Sequence, residues 1–548
     1  MYLKRVEIVG FRGINQLVLD IDPNQMMLTG ENTWGKSSLL GALSLLSPEQ
    51  LDYPFTARDF YQPTPDQPAP AEQALPSQRA TLSFTFAEKQ SGQWQSPIYQ
   101  LFEPVAEVAE EGLKQLTYQI LATRTSANDI VMAYHFLDRQ GQVMATDAQL
   151  AERRQYLVRL SPVMRLKNPL QHEMKGVSPE ILSDHYLELL SHQLKAAQTS
   201  LSGDDVFKGL QVARALMSYY LVDSHQRDKL KRQAPLGYQP SLTDWNVLDR
   251  FNHALDGLED EYTRLSLLAV FTGLLCSEEG QAWSAAAMPI LLLEEPESQL
   301  HPIILSVAMH LLGHLPVQKI ITTNSSDTLA LAELMQIYRL KRYPDYIEAK
   351  HVNEKSLGHS DVRRIKFHIL YRRSAALFAR TWLLVEGETE VWILRELAEQ
   401  AGYYLNSEGV QIIEFAQCGL KPLIKYAQQM GIHWHVLTDG DQAGKKYADT
   451  VRSLCPQERQ LDDYLTVLPA KDMENFMFRH GFSHIYKMMA CGTTAHIDMP
   501  ISRIIQKAIH KSSKPDLAVA ICDDARARGL QAIPNLFKQM FARIVKSS

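Results

Sequence analysis

Cysteine is scarce in this chain of 548 residues, and the few present form no pattern. Cys276, Cys418, Cys455, Cys491 and Cys522 are odd in number and scattered, with no Cys-x-x-Cys pair among them. That argues against a disulfide framework and against a zinc site, and predicts a reducing compartment. Long apolar runs are missing as well. The longest apolar-rich stretch, LSLLAVFTGLLC at 265–276, is far below the roughly 20 residues that span a bilayer. The opening MYLKRVEIVGFRG alternates polar and apolar residues like a strand and lacks the continuous apolar centre of a secretory signal. A cytoplasmic location with no membrane partner is therefore expected. Excess positive charge is also absent. Lys+Arg number 56 against 62 Asp+Glu, a net charge of −6, which argues against a histone-like polyanion binder but allows local basic patches. No internal repeat is visible. What remains is an ordinary globular composition, 45% hydrophobic and 22% charged, sufficient for about three or four domain-sized units.

Residues 2–9 and 17–21 predict two strands joined by the turn GFRGIN, and MMLTG at 26–30 a third. A glycine-punctuated loop leads into the helix KSSLLGALSLL. The Pro-, Gln- and Ala-rich stretch 61–79 predicts an exposed loop. ATLSFTFAEK and KQLTYQILATR alternate like antiparallel strands. From about 150 to 285 the apolar spacing turns helical. AAMPILLL (286–293) and KIITTN (319–324) predict buried strands. The stretch 362–380 carries Arg363, Arg364, Lys366, Arg372, Arg373 and Arg380 and no acid. After it, TWLLVEG, TEVWILRELAEQA, VQIIEF, LKPLIKYAQQM and IHWHVLTDGD alternate strand and helix, the pattern of a parallel sheet.

Two constellations carry chemistry. GENTWGKS at 30–37 satisfies GxxxxGK[ST], after a strand and opening a helix. Gly30, Glu31, Asn32, Gly35, Lys36, Ser37 and Ser38 are its nucleotide-binding candidates. Backbone N–H groups and the helix N-terminus suit phosphates; Lys36 reaches the β/γ-phosphates and Ser37 holds Mg²⁺. The acidic partner is PILLLEEPESQLHP at 289–302. There Glu294 takes the Mg²⁺ role and Glu295 orients the attacking water.

The second constellation is LLVEGETEVWIL at 383–394, where an apolar strand ends in Glu386 and the next helix opens with Glu390. Gly387 is expected to permit a sharp turn between them. HVLTDGD places Asp439 and Asp441 at another strand end, on one side of the chain. Strand ends of a parallel sheet share one edge, so these acids can meet around Mg²⁺ or Mn²⁺, hard ions that favour oxygen ligands. Glu388 is expected to lie outside this set or to face solvent.

FRGI, the P-loop close behind it and the distant EEPESQLHP resemble SMC/RecF-type ATPases of the ABC class. That resemblance implies two heads sandwiching ATP, Arg12 near the nucleotide, and a signature segment. The candidate for the signature is LDGLEDEYTRLSLL (255–268) with Gly257, which departs from the LSGG-like pattern. Asn324 stands at the switch position often filled by His. It can hydrogen-bond a γ-phosphate but cannot carry the positive charge of His.

The glutamate-then-DxD arrangement resembles a Toprim domain. An SMC-like ATPase followed by Toprim resembles the OLD (overcoming lysogenization defect) family of ATP-dependent endonucleases. The resemblance implies that Glu386 and Glu390 are ligands or general base, and that Glu474 in LPAKDMENFM adds a carboxylate. It further implies that Lys514 in HKSSKPDLAVAI stabilises charge on the scissile phosphate, and that Gly419 lies beside the site.

The expected fold is α/β: an ABC-type P-loop ATPase head with a helical insertion, followed by a Toprim parallel sheet. The expected division is 1–150 and 286–360 for the two ATPase lobes, 151–285 for a helical dimerisation region, 361–380 for a basic connector and 381–548 for the Toprim domain. The expected function is ATP-dependent, metal-dependent DNA cleavage in repair or antiphage defence, by a homodimer or larger homo-oligomer with a possible partner protein. Arg503, Lys507, His510, Lys511 and the 362–380 stretch are candidate grips on DNA phosphates; the latter equally suits the solvated face of a linking helix. A repair ATPase whose Toprim binds without cutting, a topoisomerase-like enzyme and a primer-synthesising enzyme are the alternatives. No zinc-ribbon cysteines support the last.

Overall fold

The computed structural model describes residues 1–63, 78–125, 129–144, 149–166, 287–298, 302–314, 317–353, 356–455, 461–494 and 498–547. The segment around Gly257, most of 151–285 and most of the proline-rich stretch lie outside these residues. The described chain forms two units, Met1–Ala332 with Gln336–Ala349, and Glu333–Met335 with Lys350–Ser548.

The first unit contains strands β1 (Tyr2–Phe11), β2 (Ile14–Asp20), β3 (Gln25–Thr29), β4 (Arg79–Ala87), β5 (Glu107–Val108), β6 (Lys114–Arg124), β7 (Ile130–Leu137), β8 (Val163–Leu166), β9 (Ile290–Glu294), β10 (Gln318–Thr322), β11 (Ile337–Arg342) and β12 (Ile347–His351). They join one sheet in the order β5-β6-β4-β1-β2-β12-β11-β3-β10-β9-β8, with β7 on β6. The period-2 segments form its antiparallel arm, β1 between β2 and β4. Leu3, Val6 and Ile8 face the core while Val9 is exposed. The β1–β2 connection is tighter than the sequence predicts: the strands run on to Phe11 and restart at Ile14, leaving Arg12 and Gly13 as the turn. Val163–Leu166 corrects the all-helical expectation for 151–285. Its chain is extended and pairs in parallel with β9, where Arg165 lies opposite Leu292.

The continuous apolar runs form the buried parallel centre, as strands covered on both faces must. Here β10 separates β3 from β9, with Leu28, Thr322 and Glu294 in line across the three. The loop after β10 therefore lies between the loops after β3 and β9.

The second unit holds β13 (Thr381–Val385), β14 (Val410–Glu414), β15 (His433–Thr438) and β16 (Leu465–Val467), all parallel, in the order β14-β13-β15-β16. The chain steps from β13 outward to β14, then crosses to the other side for β15. β13 and β15 thus flank the point where the winding reverses, the usual crevice for ligands in an open α/β sheet. Every residue of β13 is buried. A helical layer completes the core. The helix Asn535–Ser547 buries Phe537, Met540, Phe541 and Ile544, the three-and-four spacing of one helical face. The mixed α/β architecture and the parallel second sheet are those the sequence predicts. Among the described residues no helix is long and apolar enough to cross a membrane.

Candidate nucleotide and metal sites

β3 delivers Gly30 at φ +148°, and Gly35 at φ +90° immediately precedes the helix Lys36–Ser44. Both values favour glycine. A β-carbon on Gly35 would also stand 2.8 Å from Ile347 Cδ1. Lys36 is buried; its ammonium donates to the Gly30 carbonyl and, at 2.7 Å, to Asn324 Oδ1. The Asn324 amide donates to Asn32 Oδ1 at 3.1 Å and to Glu295 Oε1 at 2.5 Å. Asn324, at the end of β10, thereby ties the P-loop to the acidic strand end. Burial lowers the Lys36 pKa, against the pull of Glu295, Glu297 and Glu31. Burial raises that of Glu295, as does Glu297, with Lys36 opposing. Glu295 also sits at φ +46°, a left-handed conformation uncommon outside glycine and characteristic of functional sites.

The remaining candidates are placed as follows. Ser37 is exposed at the start of the helix, and Ser38 Oγ accepts from the Gly13 N–H at 3.2 Å. Glu31 is half-buried in the loop. Arg12 runs along the same helix, its guanidinium occupying the space that a β-carbon on Gly41 would fill. It donates to Asp59 Oδ1 at 2.9 Å and to the Tyr53 hydroxyl at 3.2 Å. Glu294 is held by Arg165, whose Nη2 and Nε both donate to Oε2, at 2.6 and 3.1 Å.

Three residues here escaped the sequence reading. Arg165 is one. Arg342 is another, donating at 2.7 Å to both Thr33 O in the P-loop and Gly13 O in the β1–β2 turn. Glu297 is the third. Its carboxylate accepts from Thr323 Oγ1 (2.8 Å), the Asn324 N–H (3.0 Å) and Thr328 Oγ1 (3.1 Å), fixing the loop that carries Asn324. Its place two residues after Glu295 was the available signal.

In the second unit, Leu384 lies opposite Val436, so Glu386 is level with Thr438 and next to Asp439 across the crevice. The chain bends at Glu386 and Gly387 as expected, but Gly387 has φ −137°, which any residue adopts, so the bend does not require glycine. Glycine matters there for space, since a β-carbon would lie 3.0 Å from Glu390 Oε2, which accepts from the Gly387 N–H at 3.0 Å. Glu388 is exposed. Asp441 caps the helix Gln442–Leu454 by accepting from the Gly444 N–H at 2.7 Å. Gly419, at φ +93°, opens the helix Leu420–Gln429. The loop leading to it is bound along β13, with Phe415 N–H on Val385 O (2.8 Å) and Ala416 N–H on Glu386 O (3.2 Å).

Glu474 lies in the helix Met473–Met477, and Lys514 Nζ bonds its Oε1 at 2.7 Å. Lys514 follows a break in the long helix Ile501–Arg528 at Ser513, φ +67°. Ser513 Oγ donates to Asp516 Oδ2 at 2.8 Å and accepts from the Asp516 N–H at 3.4 Å, a cap that restarts the helix with Lys514 at its first turn.

These acids sense one another. Burial pushes Asp439 up to about 8, and Glu390, Glu386, Asp472 and Glu474 add to the rise. Burial also raises Glu386, helped by Asp441 and Glu390, and raises Glu390, helped by Glu474. Burial works against the Lys514 ammonium, but its bond to Glu474 prevails and raises its pKa. Asp472 joins this group without having been anticipated; it caps the Glu474 helix by accepting from the Asn475 N–H at 2.7 Å. Among the described residues no three acidic, His or Cys side chains already converge as a metal's ligands. The donor chemistry nevertheless fits a hard divalent cation, because every group is a carboxylate and their mutual repulsion is what such an ion relieves.

Residues 1–376 match a family model described as protein of unknown function (DUF2813). The chain belongs to that family. Residues 377–441 match the Toprim domain of overcoming lysogenization defect protein-like proteins, so this DUF2813 member carries an OLD-like Toprim module from just before β13 to Asp441. It is 40% identical over 556 residues to the uncharacterized protein YbjD of Escherichia coli K12, covering 100% of this chain and 99% of that one. Among solved structures it is similar to the Smc head domain with an extended coiled coil from Pyrococcus furiosus, with 13% identity, 65% of this chain and 97% of that chain covered, and a TM-score of 0.34. It is also similar to the C-terminal region of the Burkholderia pseudomallei OLD protein, with 18% identity, 30% and 97% covered, and a TM-score of 0.26. Of the combination that the sequence resembles, the Toprim half is the one that a family model matches.

Proposed function

We propose that this protein binds and hydrolyses ATP in its first unit and hydrolyses DNA phosphodiester bonds in its second, using Mg²⁺ or Mn²⁺. The observation that carries the reading is the gathering of Glu386, Glu390, Asp439, Asp441 and Glu474 near the β13/β15 crevice, with Lys514 bonded to Glu474. Glu386, Asp439, Asp441 and Glu474 would hold the metal, with Glu390 as a further ligand or the general base. A divalent ion there lowers the pKa of water and offsets charge on the leaving oxygen. Lys514, at a helix start, exchanges Glu474 for the negative phosphate oxygens as charge builds on them. In the first unit Lys36 turns from Gly30 and Asn324 to the β/γ-phosphates. Ser37 and Glu294 would hold Mg²⁺, and Glu295 would orient water. Asn324, already bonded to Lys36 and Glu295, reports the γ-phosphate to both.

Two copies would meet across ATP, as the resemblance to SMC/RecF-type heads implies; a place in DNA repair or antiphage defence is implied in the same way. A second reading is an ATP-driven DNA-binding protein that does not cut. The Lys514–Glu474 ion pair favours it, since it engages a carboxylate and a cation that cutting requires.

A plasmid-nicking assay with Mg²⁺ or Mn²⁺, with and without ATP, separates the two. Metal-dependent nicking by the wild type, abolished by Glu386→Ala, is expected, and Lys36→Ala shows whether nucleotide controls it. Intact supercoiled, linear and single-stranded DNA after wild-type treatment would transfer the assignment to the non-cutting reading.

A further inference from the structure

The basic stretch after Gly358 folds as a helix (His359–Ile365), a wider π-helical turn (Lys366–Tyr371) and a 3₁₀ turn (Ser374–Phe378). Its inner side buries Ile365, Ile369, Leu370, Ala376 and Leu377. Its outer side leaves two large aromatic rings in solvent, Phe367 at 50% and Tyr371 at 54% exposure. They stand four residues apart on a π-helical turn, so they share one side of it. Cations lie over both rings: the Arg372 guanidinium 5.3 Å from the Phe367 centroid and the Lys366 ammonium 5.5 Å from that of Tyr371.

The charges divide into two groups. Lys366 is paired with Glu333 at 2.7 Å, and Arg373 with Glu414. Arg363, Arg364 and Arg372 are exposed, and among the described residues no carboxylate stands within ion-pair distance of them. A scattered exposed aromatic needs no explanation. Two on one side of a turn, interleaved with three unpaired guanidinium groups, match what single-stranded nucleic acid requires: cations for the backbone and ring faces for the bases. In duplex DNA the base faces are already stacked on one another, so exposed rings add nothing there.

We propose that Phe367 and Tyr371, flanked by Arg363, Arg364 and Arg372, form a stacking platform for the unpaired bases of single-stranded DNA. This deepens the reading that DNA is the substrate, and it is tested so that the two ideas fail separately. Binding of a labelled single-stranded oligonucleotide, an abasic strand of equal length and a duplex is followed by fluorescence anisotropy on the full chain in EDTA. The Glu386→Ala background removes any cutting. Replacing both rings, Phe367→Ala with Tyr371→Ala, should weaken single-strand binding about thirtyfold or more and leave abasic and duplex binding within about threefold. Phe367→Trp with Tyr371→Trp should retain it. Gln at Arg363, Arg364 and Arg372 should instead weaken all three ligands and flatten the single-strand salt dependence by about 2 in log–log slope.

Unchanged single-strand affinity in a normally folded double-alanine variant overturns the platform, as does equal weakening on all three ligands. So does loss of self-association in sedimentation with DNA affinity intact, which would give the rings to a second copy. A wild type that nicks plasmid but shows no ring effect loses the platform alone. One that shows the ring effect but never nicks loses the nuclease reading alone.

Discussion

Replacing Gly440 with alanine is the sharpest test of how the second site is built. Gly440 separates Asp439 from Asp441, and its N–H donates to Ala470 O at 2.9 Å. An added β-carbon would lie 2.7 Å from Leu468 O and closer still to Ala470 O, both backbone atoms that cannot swing aside. A carbon–oxygen contact needs roughly 3.4 Å, so the 468–470 segment must retreat by about 0.7 Å or more. Overpacking costs roughly 1–3 kcal/mol and an unpaired buried backbone group a similar amount, about 2–6 kcal/mol together. For a unit of this size that lowers the melting step by roughly 5–20 °C. The same retreat carries Asp472 and Glu474 away from Asp439, and a displacement near 1 Å lowers nicking about a hundredfold. Nicking, ATPase rate and calorimetric melting measured together give the answer: nicking and one melting step fall while ATP turnover persists. Gly313→Ala is the control. Nothing among the described residues lies within 4 Å of its added carbon, and it should change melting little. Wild-type nicking and melting in Gly440→Ala would refute the packing argument.

Three further outcomes are expected. Glu297→Ala removes the carboxylate on which three donors converge, so ATP turnover should fall about tenfold and nucleotide binding should survive, by filter binding and phosphate release. Arg342→Ala frees the Thr33 and Gly13 carbonyls and should weaken binding of a fluorescent ATP analogue about tenfold, with less effect on the maximal rate. His435 is fully buried; its Nδ1–H donates to Asp463 O (2.9 Å) and Nε2 accepts from Thr466 Oγ1 (2.8 Å). Burial depresses its pKa from 6.5 to about 4. Only the unfolded chain binds the proton between those values, so this stability is complete above pH 6.5 and is lost as pH falls toward 4, by about 3 kcal/mol. His435→Gln should flatten the melting-temperature profile across that window; an unchanged slope would assign the acid sensitivity elsewhere.

The sequence by itself determined the features that arise from neighbours along the chain. GENTWGKS needs a preceding strand and a following helix, and both are local, so its frame was legible. The same holds for the strands ending in Glu294, Glu386 and Asp439 and for the alternation that marks a parallel sheet. The tertiary structure decided which groups meet. Arg165 reaches Glu294 across a strand pairing, and Arg342 reaches Gly13 from the far end of the unit. Neither has a local pattern to betray it. Asp472 and Glu297 take their roles only from the partners that the fold brings to them. Gly387 matters for another reason than its backbone, which is ordinary: it leaves close room for the Glu390 carboxylate that accepts from its N–H. Strand order was hidden as well. Periodicity specifies that strands exist and which faces are buried, but reversal of the winding between β13 and β15 depends on long-range pairing, and that reversal opens the crevice in which the acids stand.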